Sequence, residues 1–180
     1  MPRVRSFPPL ADAKSRVLIL GSMPGEASLA ATQYYAHPQN LFWRILGDLT
    51  GADAALPYAA RARALKSCGI ALWDVLESCV REGSLDSSID DATICANNFA
   101  AFYRAHSRIA QVFFNGAKAE ACYRKYVLPA LAGQSGPLDY ARLPSTSPAN
   151  ASIPRARKVT LWQQALVRAL AERTRSSGKG

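Results

Sequence analysis

Four short apolar runs, each ending in glycine or a polar residue and each separated from the next by helix-like sequence, constrain the fold of this 180-residue chain more than any other feature. Residues 16–20 (Arg-Val-Leu-Ile-Leu) lead into Gly21-Ser-Met-Pro-Gly25, and residues 69–75, 109–116 and 138–144 repeat the pattern. Runs this short, rich in β-branched and aromatic residues and closed by turn formers, read as buried strands. Between and after them, residues 40–49, 58–66, 96–105, 117–126 and 155–173 have helical character. Parallel neighbours need crossover connections, so alternating strands and helices predict an α/β fold: one domain with a mostly parallel central sheet of about four strands, flanked by helices on both faces. Ligands of such sheets lie outside the carboxyl ends of the strands. Those ends carry Gly21 to Gly25, Asp74, Asn115 and the 144–148 loop. The first dozen residues and the 173–180 tail read as frayed ends.

A chain of this length with 49% hydrophobic residues has material for one sizeable core and falls short of two ordinary domains. The 22 Lys and Arg outnumber the 13 Asp and Glu, a net +9 that suits a polyanion such as nucleic acid, or equally an acidic membrane surface. No apolar stretch reaches the roughly 20 residues of a membrane span, and the N-terminal segment lacks the apolar centre of a signal peptide, so an intracellular, cytoplasmic protein is expected. Cys68, Cys79, Cys95 and Cys122 are far apart, with no CxxC and no neighbouring His pair. They read as reduced, mostly buried thiols, and neither zinc nor an iron-sulfur cluster is expected.

The loop from Gly21 to Ser28 lacks both the lysine of a P-loop and the GxGxxG spacing of a dinucleotide site. It can offer backbone N–H groups to a carbonyl oxygen or small anion, or be a plain strand-to-helix turn. The next segment, Gln33-Tyr-Tyr-Ala-His-Pro-Gln-Asn-Leu-Phe-Trp43, is more specific. Pro38 keeps its first half out of a helix, which sets Tyr34, Tyr35 and His37 on a loop beside the glycine turn. Phe42 and Trp43 suit the core.

The succession Gly-Ser-Met-Pro-Gly (21–25), Tyr-Ala-His-Pro-Gln-Asn-Leu-Phe-Trp (35–43) and Leu-Pro-Ser-Thr-Ser-Pro-Ala (143–149) resembles the uracil-DNA glycosylase superfamily over about residues 16–170. The middle block is similar to the AHPxNxFW segment of its mismatch-specific uracil- and thymine-DNA glycosylases. The resemblance implies that the first loop holds a flipped base, yet Met23 stands where most branches carry a water-positioning asparagine or aspartate. Leu143 likewise stands where several branches have histidine. Those two departures resemble the hypoxanthine-DNA (deoxyinosine) glycosylase branch, in which the asparagine of PxN takes the catalytic role; here that is Asn40. An N-cap on the following helix is the plainer alternative for Asn40.

On that resemblance, Tyr35 is the stacking platform for an extruded base, with a simple loop anchor as the alternative. Deamination turns N1 of adenine into a donor and its amino group into a carbonyl. Asp74 would accept from N1–H, and N–H groups around Ser22 and Met23 would serve O6; a helix cap or a partner for Arg81 is the alternative for Asp74. Asn115 joins this base-binding set. Breaking an N-glycosidic bond calls for preorganised dipoles rather than a strong nucleophile, so Asn40 would orient water while His37 or loop N–H groups stabilise the leaving purine. No lysine in these motifs is placed for a Schiff base, so base removal without strand cleavage is expected. Ser145, Thr146 and Ser147 would press the DNA backbone, with Arg155, Arg157 and Lys158 following on the last helix. The expectation is a cofactor-free, monomeric enzyme acting on damaged DNA. A uracil or mismatch specificity and a non-catalytic nucleic-acid-binding protein are its rivals.

Overall fold

The computed structural model describes residues 2–133 and 135–176, with side chains up to residue 171. Its centre is a four-stranded parallel sheet in the order β3-β2-β6-β7, formed by β2 (Val17–Gly21), β3 (Ile70–Asp74), β6 (Gln111–Asn115) and β7 (Asp139–Leu143). The register pairs Gly21 with Asp74 and Asn115 with Leu143, so the polar ends of the apolar runs come out on one edge. β2 and β3 are buried at every position, as expected of strands covered on both faces.

Helices α1 (Glu26–Ala31), α2 (Phe42–Thr50) and α3 (Tyr58–Ser67) connect β2 to β3. Helix α4 (Phe99–Ala105) precedes β6, and α5 (Ala117–Cys122), a π-helical turn at Tyr123–Val127 and α6 (Leu128–Leu131) lead towards β7. Stepping one way from β2 to β3 and the other way from β2 to β6 and β7, right-handed crossovers place these two helical groups on opposite faces. The long α7 (Arg155–Ser176) returns to pack on α2, where its fully buried Trp162 meets Phe42 edge-on at 6.4 Å. The rings of Trp73, Phe99, Phe102, Tyr103 and Tyr123 fill the other side.

A second sheet, antiparallel in the order β1-β4-β5, is absent from the sequence reading. It comprises β1 (Arg3–Arg5), β4 (Leu76–Arg81) and β5 (Ile89–Ala96). Residues 2–12, expected to fray, are therefore held in place. Arg3 to Arg5 pair with Ser78 to Val80, Leu10 bridges Leu72, and the carbonyl of Phe7 accepts from Trp73 Nε1 at 3.1 Å. A three-residue strand between arginines carries too little period to be read. Helix α4 also starts later than residue 96, because Ala96 still pairs with Leu76; Asn98 caps the helix by accepting from the N–H of Ala101 at 3.0 Å. The helical stretch expected at 117–126 is broken by the π turn. At the C-terminus α7 continues to Ser176, while 177–180 lie outside the described residues. None of the cysteines is bridged; Cys79 and Cys122 are buried, Cys68 is half-buried and Cys95 is exposed.

Candidate active site

The carboxyl edge of the parallel sheet opens into a cleft of about 680 Å³, large enough for a nucleoside. All ten residues singled out in the sequence, namely Ser22, Met23, Tyr35, His37, Asn40, Asp74, Asn115, Ser145, Thr146 and Ser147, line it. Three loops hold eight of them, namely the turn after β2, the 33–41 segment and the turn after β7, while Asp74 and Asn115 end β3 and β6.

Gly21 is glycine for a local reason. A methyl group there would lie 2.5 Å from Asp74 Oδ1 and 3.1 Å from the Tyr35 hydroxyl. Both polar groups thus crowd the end of β2. Asp74 is 3% exposed, its Oδ2 has no hydrogen-bond partner among the described residues, and its backbone carbonyl is held by Asn97 Nδ2 at 2.9 Å. Burial, reinforced by the charge of Asp86 and opposed by Arg81, pushes the Asp74 carboxyl up to about 8. Asp74 is therefore mainly a neutral acid at pH 7, able both to donate and to accept. The expected alternative partner, Arg81, forms no salt bridge with it; its guanidinium binds the carbonyls of Pro24 and Gly83.

Tyr35 sits at φ +54°, one of two non-glycine residues with positive φ among those described. Its ring stacks on Phe42, centroids 4.1 Å apart and planes 21° apart, so one face is backed by the core while the residue lines the cleft. Its hydroxyl is buried without a well-formed hydrogen bond, and burial followed by the Asp74 charge raises its pKa. Tyr34, by contrast, is an anchor: it is 2% exposed and its hydroxyl donates to the carbonyls of Phe7 and Pro8, while its own carbonyl accepts from Trp43 Nε1 at 2.8 Å.

Asn40 Oδ1 accepts from the N–H of Phe42 at 2.9 Å in an Asx turn, but the N-cap of α2 is Leu41, so the N-cap role weighed for Asn40 falls one residue further on. The turn bond fixes Oδ1, and the side chain still borders the cleft. His37 Nδ1 accepts from the N–H of Gln39 at 3.1 Å, so the neutral ring carries its proton on Nε2. Asn115 and Thr146 are locked together: Asn115 Nδ2 donates to Thr146 Oγ1 and the N–H of Thr146 donates to Asn115 Oδ1, both at 2.9 Å. Thr146, expected to press the DNA backbone, is 1% exposed with its hydroxyl so engaged, and acts as an internal brace. Lys158, grouped with the phosphate-facing arginines, is buried too and donates to the carbonyls of Ser147 and Asn150. Arg155 and Arg157 remain exposed.

The far wall was missed. Ser84, Leu85, Asp86 and Ser87, from the connection between β4 and β5, face the glycine loop across the cleft. Asp86 Oδ1 accepts from Ser22 Oγ at 2.6 Å, and Ser84 Oγ accepts from the N–H of Glu26 at 2.8 Å, capping α1. In the sequence Gly-Ser-Leu-Asp-Ser-Ser reads only as a polar turn, and nothing in it signals a return to the first loop.

With this fold and cleft, residues 8–170 match the model of the "Uracil DNA glycosylase superfamily", and the chain belongs to that family. Among its relatives, a protein of Methanosarcina barkeri named hypoxanthine DNA glycosylase is 43% identical over 115 residues, 63% of this chain and 72% of that one. A Methanosarcina acetivorans protein of the same name is 39% identical over 64% of this chain and 72% of its own length. The solution NMR structure of a candidate uracil DNA glycosylase from Methanosarcina acetivorans superposes with a TM-score of 0.75 at 34% identity, covering 94% of this chain and 99% of the other.

Proposed function

We propose that this protein is a monofunctional DNA glycosylase that removes hypoxanthine from deoxyinosine in DNA, as the names of its two Methanosarcina relatives suggest. One observation carries the reading: a buried, unpartnered carboxyl and a core-backed aromatic ring converge at the end of β2 in a cleft of base size. A flipped purine stacks on Tyr35, gaining roughly 1–3 kcal/mol irrespective of base identity. Asp74, in its acid form, pairs with the N1–H and O6 edge, its carbonyl accepting and its hydroxyl donating. Asn40, aligned by its bond from the N–H of Phe42, orients the water that attacks the sugar, and His37 Nε2–H or loop N–H groups stabilise the departing base. Ser145 and Ser147 at the rim face the phosphate backbone, with Arg155 and Arg157 beyond.

No group of three or more potential metal ligands occurs among the described residues, and none of their helices is long and apolar enough to cross a membrane. The reaction as read needs water and DNA alone, performed by a monomer inside the cell. Uracil presents a similar donor and carbonyl edge, so a uracil specificity is the competing reading.

A labelled duplex carrying one deoxyinosine, treated with the protein and then hot alkali, tests this. The expected outcome is alkali-dependent cutting at deoxyinosine in preference to deoxyuridine, lost in Asn40→Ala while duplex binding persists. Cutting at deoxyuridine alone selects the competing specificity. Duplex binding without cutting at either base identifies a non-catalytic nucleic-acid-binding protein.

A further inference from the structure

We propose that Asp86, brought in from the small antiparallel sheet, is a second catalytic residue of the cleft and supplies the negative charge that faces the sugar as the glycosidic bond breaks. The inference rests on the base-excision reading and goes beyond it.

The cleft has a composition opposite to that of the molecule. The chain carries +9, yet among the described residues no lysine or arginine lines the cleft, whereas Glu26, Asp74 and Asp86 do. Carboxylates repel phosphates, so they are not there to grip the DNA backbone. They suit a reaction centre that becomes positive, and a sugar losing its base is such a centre. Of the three, Asp74 is deeply buried, has an oxygen with no partner, and is mainly in its acid form at pH 7. Glu26 lies exposed at the start of α1. Asp86 combines exposure to the cleft with a fixed orientation, because Ser22 Oγ holds one oxygen at 2.6 Å and leaves the other for the cleft.

Ser22 immediately precedes Met23, the apolar residue of the glycine loop. The oriented carboxylate beside this apolar position is thereby supplied by a separate strand connection. Two neighbouring carboxyls in different settings then divide the work, the buried one hydrogen-bonding the base as an acid and the exposed one acting as an anion. In the step itself the C1′–N9 bond breaks and its electron pair leaves with the purine. A water oxygen bonds to C1′, one of its protons passes to Asp86, and the departing purine anion takes up a proton either from that carboxyl or from solvent, to which Asp86 then releases its own.

The test is single-turnover excision from a deoxyinosine duplex by the full chain and by Asp86→Asn, Asp86→Glu and Ser22→Ala, with duplex affinity from fluorescence anisotropy and thermal unfolding for each. The expected result is a rate loss of about 100-fold or more in Asp86→Asn, a smaller loss in Ser22→Ala, partial recovery in Asp86→Glu, and Kd within about threefold throughout. An Asp86→Asn rate within about threefold of the unaltered protein overturns the proposal, as does a rate loss matched by an equal loss of affinity. Inactivity of the unaltered protein on every damaged base overturns the excision reading and this proposal with it.

Discussion

Asp74 makes the clearest prediction at the scale of single residues. Its folded-state pKa of about 8 lies above the ordinary 3.8, so between those values the folded protein binds a proton that the unfolded chain releases. Its contribution is fully present below about pH 4 and is lost as pH rises towards 8, with a slope of up to about 1.4 kcal/mol per pH unit for one group. Urea unfolding at intervals across that range should show stability falling with pH, and Asp74→Asn should flatten the dependence. An unchanged profile in the variant would place the titration elsewhere. Asn40 and Tyr35 show how far a residue's chemistry can be read without coordinates. A local turn bond from Asn40 follows from its place before an apolar run, although the helix is capped one residue later at Leu41, whereas the positive φ of Tyr35 and its stacking on Phe42 depend on packing the sequence does not spell out.

Among elements, the loop after β7 depends on braces from two directions. Asn115 ties it to β6, while Lys158 and Trp162 of α7 hold its carbonyls, Trp162 Nε1 donating to Pro144 at 2.8 Å. Asn115→Ala removes two buried hydrogen bonds and leaves the hydroxyl and N–H of Thr146 unpaired. A loss of about 1–3 kcal/mol is expected in chemical denaturation, with a larger proportional fall in excision than in duplex binding. Strands β2, β3 and β6 were legible because burial on both faces demands continuous apolar runs. The small sheet was not, because β4 is half polar although largely buried and β5 is mostly exposed or half-buried, so neither a run nor a clean alternation marks them. The same blindness hid Asp86: its role depends on a contact with Ser22 across 64 positions of sequence.

For the molecule as a whole, the excess of positive charge and the acidic cleft assign different tasks to different surfaces. If the exposed cations neutralise about four phosphates, duplex affinity should fall about 100-fold between 50 and 200 mM salt, a log-log slope near −3.6. Anisotropy titrations over that range, on duplexes with and without deoxyinosine, should give parallel slopes, because no lysine or arginine among the described residues lines the cleft. A shallow slope would argue against a phosphate-gripping surface.

Arg81 is 1% exposed and fastens the carbonyl of Pro24 to that of Gly83, alongside the bonds from Ser22 to Asp86 and from Glu26 to Ser84. These cross-ties join the rims of two different sheets into one frame, so the receptacle is set when the chain folds, before DNA arrives. A nucleotide swinging out of the helix then meets a finished mould, and the conformational entropy of shaping it does not weaken capture. Selection among bases falls instead on how readily each leaves its stack and how well its edge fits a wall that does not yield.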